Sequence, residues 1–141
     1  MSAGSGIRHS ENNPSPHEDV HFIQMWVPPD TEGITPSYEQ RDINGALDQG
    51  GLRAIASGQG HEGAITIRQR DAVLWGGRLQ PAEQVAVPAG RHAHVFVAIG
   101  SADLEGAGRL GEGDAARLVD AATPALVAGT DGSEILIWVT A

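Results

Sequence analysis

The chain has 141 residues, enough for one domain with a hydrophobic core and an additional segment, but short for two complete domains. Its 18 acidic and 9 basic residues give a net charge of -9, which argues against direct binding to nucleic acid or to an anionic membrane surface. The absence of cysteine excludes disulfides and thiolate ligands, so histidine and carboxylate side chains are the candidate metal ligands. With no apolar run of about 18 residues and no signal-peptide pattern at the start, we expect a cytoplasmic protein.

The first candidate site lies near the start of the chain, in Arg8-His9-Ser10-Glu11. Side chains alternate along an extended backbone, so His9 and Glu11 would point to the same side. Neutral imidazole and carboxylate together suit iron, manganese, copper or zinc, but a mononuclear site needs at least one or two further ligands. The same spacing is also common on the polar face of an ordinary strand. The residues therefore predict either half of a metal site or a polar strand face.

The segment that follows predicts a loop, a strand and a connector. Asparagine and proline over 12–16 favour a loop, and the apolar run Val20–Val27 favours a strand. In that strand His21, Ile23 and Met25 would face one way, and Phe22, Gln24 and Trp26 the other. Prolines interrupt residues 28–41, which is typical of a connector. Turn residues over 42–51 indicate a domain boundary there.

The remainder of the chain alternates short apolar runs with glycine and proline, which predicts an all-β domain. We expect strands over 52–57, 64–70, 72–75, 83–87, 91–99, 102–105, 115–119, 124–127 and 133–139. Gly100-Ser101 is predicted to form a hairpin turn, and Thr130-Asp131-Gly132 a second tight turn. About ten short strands at this spacing indicate a sandwich or a small barrel.

The predicted core takes large apolar side chains from these strands. They are Ile55, Ile65, Ile67, Leu74, Val85, Val87, Val95, Val97, Leu118, Leu126, Leu136 and Trp138. Burial of each large aliphatic side chain would stabilise the fold by about 1.5 to 3 kcal/mol.

A second pair of histidines, His92 and His94, would share one face of a strand and could both bind a metal. No glutamate follows within a few residues, and the next acid is Asp103. A packed or surface pair is therefore the favoured interpretation. The other histidines are expected to be structural or solvated: His17 in a loop, His21 half-buried on a strand, and His61 beside Glu62 in a glycine-rich loop.

Several blocks of the sequence together resemble the pirin family. They are Ser2–Glu11, Glu18, His21–Pro28 and Gly33–Gln40 near the start, and Glu83–His92, Gly111–Ala115 and Ser133–Ile137 later. Pirins are bicupins, with two β-barrels on one chain. The resemblance implies that residues 1–43 correspond to the C-terminal part of the first cupin and residues 44–141 to the second. The implied fold is an RmlC-like cupin jelly-roll barrel preceded by a segment of an incomplete first cupin.

The resemblance also implies roles for residues near the start. In pirins an iron-type metal is held by two histidines of an early His-x-His strand, a third histidine, and the glutamate of a His-Ser-Glu motif. His9 and Glu11 match the last two ligands, and Glu11 is also the candidate catalytic proton acceptor. Because the His-x-His strand would precede residue 1, we expect a truncated chain that binds iron or another divalent transition metal weakly or not at all. The second pirin cupin carries no metal and packs against the first.

Three hypotheses about function follow from the resemblance. The first is a metal-dependent quercetin 2,3-dioxygenase-like enzyme, which requires the other half of the metal site to be supplied. The second is a non-enzymatic module that senses metal or redox state and binds a protein partner such as a transcription regulator. The third is an inactive fragment.

An exposed strand edge over Val20–Val27 would favour association, so we expect this strand to pack on the second barrel or to pair with its copy in a homodimer. In such a dimer, two copies of His9 and Glu11 could approach each other and form one site of two histidines and two carboxylates.

Overall fold

A computed structural model describes all residues from 1 to 141. It contains one short helix and eight strands, and their bounds are α1 Asn44–Leu47, β1 Arg53–Ser57, β2 Ile65–Thr66, β3 Val73–Leu79, β4 Gln84–Ala86, β5 His92–Leu104, β6 Gly108–Gly111, β7 Ala115–Val119 and β8 Ala125–Thr140. The expectation of an all-β fold is confirmed. No helix of the chain has the length and the apolar character needed to cross a membrane.

The strands form one sheet in the order β2-β1-β3-β8-β5-β6, with β4 also paired to β8 and β7 also paired to β5. All pairs are antiparallel except β1 with β2. The two longest strands, β5 and β8, lie side by side at the centre and pair from His92 opposite Thr140 to Leu104 opposite Leu126. These two strands therefore organise the whole domain, because each exchanges partners along its length.

The structure corrects the predicted turn at Gly100-Ser101, which lies inside β5 rather than between two strands. The pairing register with β8 shifts around this point, which identifies an irregularity of the β-bulge type. Gly100 has a φ of +79°, and a Cβ there would lie 2.4 Å from the carbonyl oxygen of Gly132. The predicted turn at Thr130-Asp131-Gly132 is likewise wrong, because these residues continue β8. Both predictions failed because a glycine with positive φ is as compatible with a β-bulge as with a hairpin turn.

The buried core lies on the inner face of the sheet and is mainly aliphatic. Its members are Leu79, Val87, Ala93, Val95, Val97, Ala102, Leu104, Leu110, Leu126, Ala128, Ile135, Ile137 and Val139. Of the predicted core residues, those fully buried are Val87, Val95, Val97 and Leu126, and the other eight are half-buried.

On β8 the alternation was predicted on the wrong face. Ile135 and Ile137 are fully buried, whereas Leu136 and Trp138 are half-buried on the opposite side of the sheet. This strand carries apolar side chains on both faces, so a period of two cannot show which face is the inner one.

Residues 1–43 contain no strand, and their one isolated bridge pairs Ser2 with Ser37. The prediction of a strand over Val20–Val27 is wrong, because no backbone N–H or C=O of residues 19–29 takes part in a hydrogen bond. The predicted alternation of Ile23 and Met25 against the outward side chains nevertheless holds, since both are half-buried. The Nε1–H of Trp138 donates to the sulfur of Met25 over 3.0 Å, which holds this extended segment against the outer face of the sheet.

Candidate metal centre

The structure brings the two predicted ligands together near the start of the chain. Nδ1 of His9 lies 3.3 Å from Oε1 of Glu11, and the two side chains are 38% and 58% exposed. Neither residue belongs to a strand, so the pair is positioned by the local backbone rather than by a sheet. Nδ1 is therefore the ring nitrogen that faces the carboxylate, and a metal shared by both side chains would lie between Nδ1 and Glu11. The pair is therefore accessible from solvent and offers one nitrogen and one carboxylate group.

The chemistry of this pair fits an iron-type metal, but the number of donors does not. No group of three or more His, Cys, Asp or Glu side chains in residues 1–141 is close enough to hold a metal ion. A mononuclear site with fewer than three protein ligands would be weak, since such metals take four to six ligands and structural or catalytic sites use at least three from the protein. His9 and Glu11 therefore offer two donors, fewer than a complete mononuclear site requires. Their roles as metal ligands, and the role of Glu11 in catalysis, stay predictions.

The alternative histidine pair lies on the outer face of β5. His94 is half-buried opposite Arg117 on β7, and His92 is exposed opposite Val119. Together with Trp138 they line a cavity of about 220 Å³ that contains no carboxylate. A guanidinium beside an imidazole disfavours a bound cation, so this environment suits a packed and partly exposed pair.

His61 is the histidine whose environment the sequence predicted wrongly. It is half-buried rather than solvated, and its Nδ1 lies 2.8 Å from Oγ of Ser57. Its ring also makes an edge-on contact with Trp75, at 5.3 Å between centroids. Ser57 accepts a further hydrogen bond from the backbone N–H of Gln59 and is 1% exposed. A substrate cannot reach that hydroxyl, so the Ser57–His61 contact stabilises the loop after β1.

His21, predicted to be half-buried, is exposed.

The serine of this loop could have been found from the sequence. Ser57 ends a strand and is followed by glycines, so its side chain was free to bond the backbone two residues later, which is common turn chemistry. The contact with Trp75 carries no sequence signal, because it joins the loop between β1 and β2 to strand β3 through the fold.

The long central strands and the mainly antiparallel sheet define a cupin-type protein. Residues 54–138 match the quercetinase C-terminal cupin domain, and residues 1–27 match pirin. The chain belongs to the pirin family.

Individual relatives agree with this assignment. A putative quercetin 2,3-dioxygenase of Mycobacterium tuberculosis is 50% identical over 139 residues, which cover 98% of this chain and 57% of the relative. Quercetin 2,3-dioxygenase of Escherichia coli K12 is 34% identical over 140 residues, covering 98% of this chain and 58% of the relative. The crystal structure of the bacterial pirin YhhW from Escherichia coli in complex with nickel(II) has a TM-score of 0.64 at 24% identity. That match covers 79% of this chain and 47% of the other, and it supports the fold.

The lengths of these relatives bear on the candidate site. The chain spans 57% to 58% of the length of the two curated relatives.

Proposed function

We propose that this chain contributes the His9–Glu11 half of the metal site to a cytoplasmic quercetin 2,3-dioxygenase-like protein of the pirin family. The observation that carries the proposal is the approach of His9 Nδ1 and Glu11 Oε1 to 3.3 Å on an accessible surface. Two relatives at 50% and 34% identity carry the name quercetin 2,3-dioxygenase or its putative form, which supports this reaction class. The remaining ligands would come from polypeptide outside residues 1–141 or from a second copy of the chain.

Each of the two residues has a distinct chemical role in this proposal. His9 acts as a neutral nitrogen ligand through Nδ1, because Nδ1 is the ring nitrogen that faces Glu11. Glu11 is a ligand and the candidate acceptor for the proton of a phenolic substrate, since a carboxylate next to a bound cation is well placed for that transfer. A metal bound there would supply a Lewis acid with open coordination positions. Iron is the proposed metal, and nickel(II) is a second candidate because it is present in the related bacterial pirin structure.

Metal titration of the 141-residue chain by isothermal calorimetry tests the proposal. Iron(II) and nickel(II) should bind weakly to the wild-type chain, and Glu11→Ala and His9→Ala should remove that binding. His92→Ala is the matched control and should retain it, because His92 lies on β5 and not near the pair. Absence of bound metal at high protein concentration, or loss of metal in the His92 variant, would contradict the proposal. Flavonol cleavage with stoichiometric iron would support it directly.

A second candidate function is protein binding without catalysis, and one observation favours it. The backbone of residues 19–29 makes no hydrogen bond, although its inner side chains pack on the domain. On the outer side, Phe22 and Trp26 are 61% and 87% exposed. An unpaired extended segment with outward aromatic side chains is suited to pairing with a strand of another chain. The partner would be a second copy in a homodimer or another protein, such as a transcription regulator.

Light scattering of the chain and two variants tests this second candidate. The wild-type chain should be dimeric, and Phe22→Ser with Trp26→Ser should make it monomeric. Tyr38→Ser is the matched control, because Tyr38 is an aromatic side chain that is 73% exposed outside the 19–29 segment. A monomeric wild-type chain whose amides over 20–27 exchange freely with solvent would contradict strand pairing. A chain that binds neither metal nor partner is the inactive fragment.

A further inference from the structure

A groove of about 600 Å³ separates the N-terminal segment from the stretch that follows β2. One wall is formed by Asp30, Thr31, Ile34 and Thr35, and the other by Gly58, Ile67, Arg68 and Arg70. The groove shares no residue with the His9–Glu11 pair, so it is a separate feature of the surface. Its volume is within the range of small-molecule sites in proteins.

Two hydrogen bonds connect the walls of the groove and fix their position relative to each other. The backbone N–H of Asp30 donates to the carbonyl oxygen of Arg68 over 2.8 Å. In return, the backbone N–H of Arg70 donates to Oδ2 of Asp30 over 2.7 Å. A Cβ at Gly58 would lie 1.8 Å from the carbonyl oxygen of Gln69, so the wall at Gly58 is close-packed backbone. Binding of a ligand therefore requires little ordering of the walls.

The charges in the groove leave one positive charge uncompensated. Arg70 is paired with Asp30, whose Oδ2 lies 3.4 Å from Nε of Arg70. Arg68 lines the groove but forms no salt bridge within 4.0 Å. Among the eight residues that line the groove, two guanidinium groups and one carboxylate sum to +1, although the whole chain carries -9. An unpaired guanidinium in an acidic protein is a site for one negative charge.

The uncharged side chains that line the groove indicate which kind of anion it could bind. Thr31 and Thr35 place hydroxyl groups on the same wall as Asp30, and they can donate to an anion. Ile34 and Ile67 supply apolar surface on opposite walls. A single net charge favours a monoanion over a polyphosphate, and the isoleucines favour an apolar body. We propose that this groove binds a small organic monocarboxylate with an apolar body, with Arg68 as the residue that pairs with the carboxylate.

Benzoate is a suitable probe because it joins one carboxylate to one apolar ring. Amide shifts in a nitrogen–proton NMR spectrum should saturate with a dissociation constant on the order of millimolar and be confined to residues 30–35, 58 and 67–70. Arg68→Ala should weaken binding by about tenfold or more, since a charge-assisted bidentate contact is lost. Arg109→Ala is the matched control: this arginine is exposed, lies on β6 and also forms no salt bridge, so benzoate binding should not change.

Two further measurements keep the test decisive. Arg68→Lys retains the charge but not the bidentate geometry and should weaken binding by about threefold, which is informative even if the alanine variant folds poorly. Inorganic phosphate, titrated separately, should bind several-fold more weakly than benzoate. Equal losses in the Arg68 and Arg109 variants, shifts centred outside the groove, no saturation at tens of millimolar, or equal binding of phosphate would each overturn the proposal. None of these outcomes depends on metal binding at His9 and Glu11.

Discussion

Two buried serines provide a sharp test of how hydrogen bonding contributes to this fold. Ser133 on β8 is 6% exposed, and its hydroxyl has no hydrogen-bond partner. Ser57 on β1 is 1% exposed, and its hydroxyl contacts both His61 and the backbone N–H of Gln59. The substitution Ser→Ala removes the same single oxygen atom at both positions. The two variants should nevertheless change the free energy of unfolding in opposite directions.

The expected magnitudes follow from the partners of each hydroxyl. Burying a hydroxyl without a partner costs about 1 to 3 kcal/mol, and the small void left by its removal costs a few tenths. Ser133→Ala should therefore stabilise the chain by about 0.5 to 2 kcal/mol. At Ser57 the substitution breaks two hydrogen bonds and leaves the N–H of Gln59 unsatisfied, because no other acceptor bonds it. Ser57→Ala should destabilise the chain by about 1 to 3 kcal/mol.

Urea denaturation followed by tryptophan fluorescence measures both values. The dependence of the unfolding free energy on urea concentration should be the same in all variants, so that the midpoints report stability. Ser5→Ala, at an exposed serine whose hydroxyl makes no hydrogen bond, is the control and should change stability by less than about 0.5 kcal/mol. Destabilisation of more than about 1 kcal/mol by Ser133→Ala would refute the reasoning, since it would mean that this hydroxyl makes a stabilising contact.

Two further predictions concern the N-terminal segment and the bulge in β5. The backbone N–H of Thr66 donates to Glu39 and holds the pKa of this carboxyl below its ordinary value. The stabilising effect of this hydrogen bond is therefore complete above the unfolded-state pKa of Glu39 and is lost as pH falls through its lower folded-state pKa. Protection of the Thr66 amide, measured as its exchange rate relative to the intrinsic rate at each pH, should therefore fall in that acidic range in the wild-type chain but not in Glu39→Gln. At the bulge, Gly100→Ala should destabilise the chain by about 2 kcal/mol more than Gly106→Ala in urea denaturation, because both have positive φ but only Gly100 faces the Gly132 carbonyl. Equal effects of the two alanine substitutions would contradict the importance of that approach.

The sequence by itself determined the class of fold and most of the strands. Short β-branched and apolar runs separated by glycine and proline predicted an all-β domain, and the predicted strand over 115–119 has the bounds of β7. Local patterning sufficed there because strand formation depends on backbone propensity and on a period of two. The motifs of the pirin family, near His9 and in the second half of the chain, could also be recognised in the sequence, since they are contiguous blocks.

The sequence also predicted which residues could bind a metal, but not how many of them the fold brings together. His9 and Glu11 are two positions apart, so an extended backbone brings their side chains together without help from the rest of the chain. Any further ligand has to come from a distant part of the sequence, brought close to the pair by folding or by assembly with another chain. Spacing carries no information about such contacts, and the structure places no third donor near this pair.

Only the tertiary structure decided which glycines turn the chain and which side chains enter the core. Gly100 and Gly132 have the backbone freedom that a hairpin requires, yet they lie side by side where β5 and β8 bend together. Ile137 and Trp138 are both apolar, and the position of β8 between β3 and β5 places Ile137 inside and Trp138 outside, against Met25. Tertiary structure also decided that residues 19–29 do not form a strand. Their alternating pattern suits a strand, but a strand exists only where a neighbouring backbone accepts and donates its hydrogen bonds.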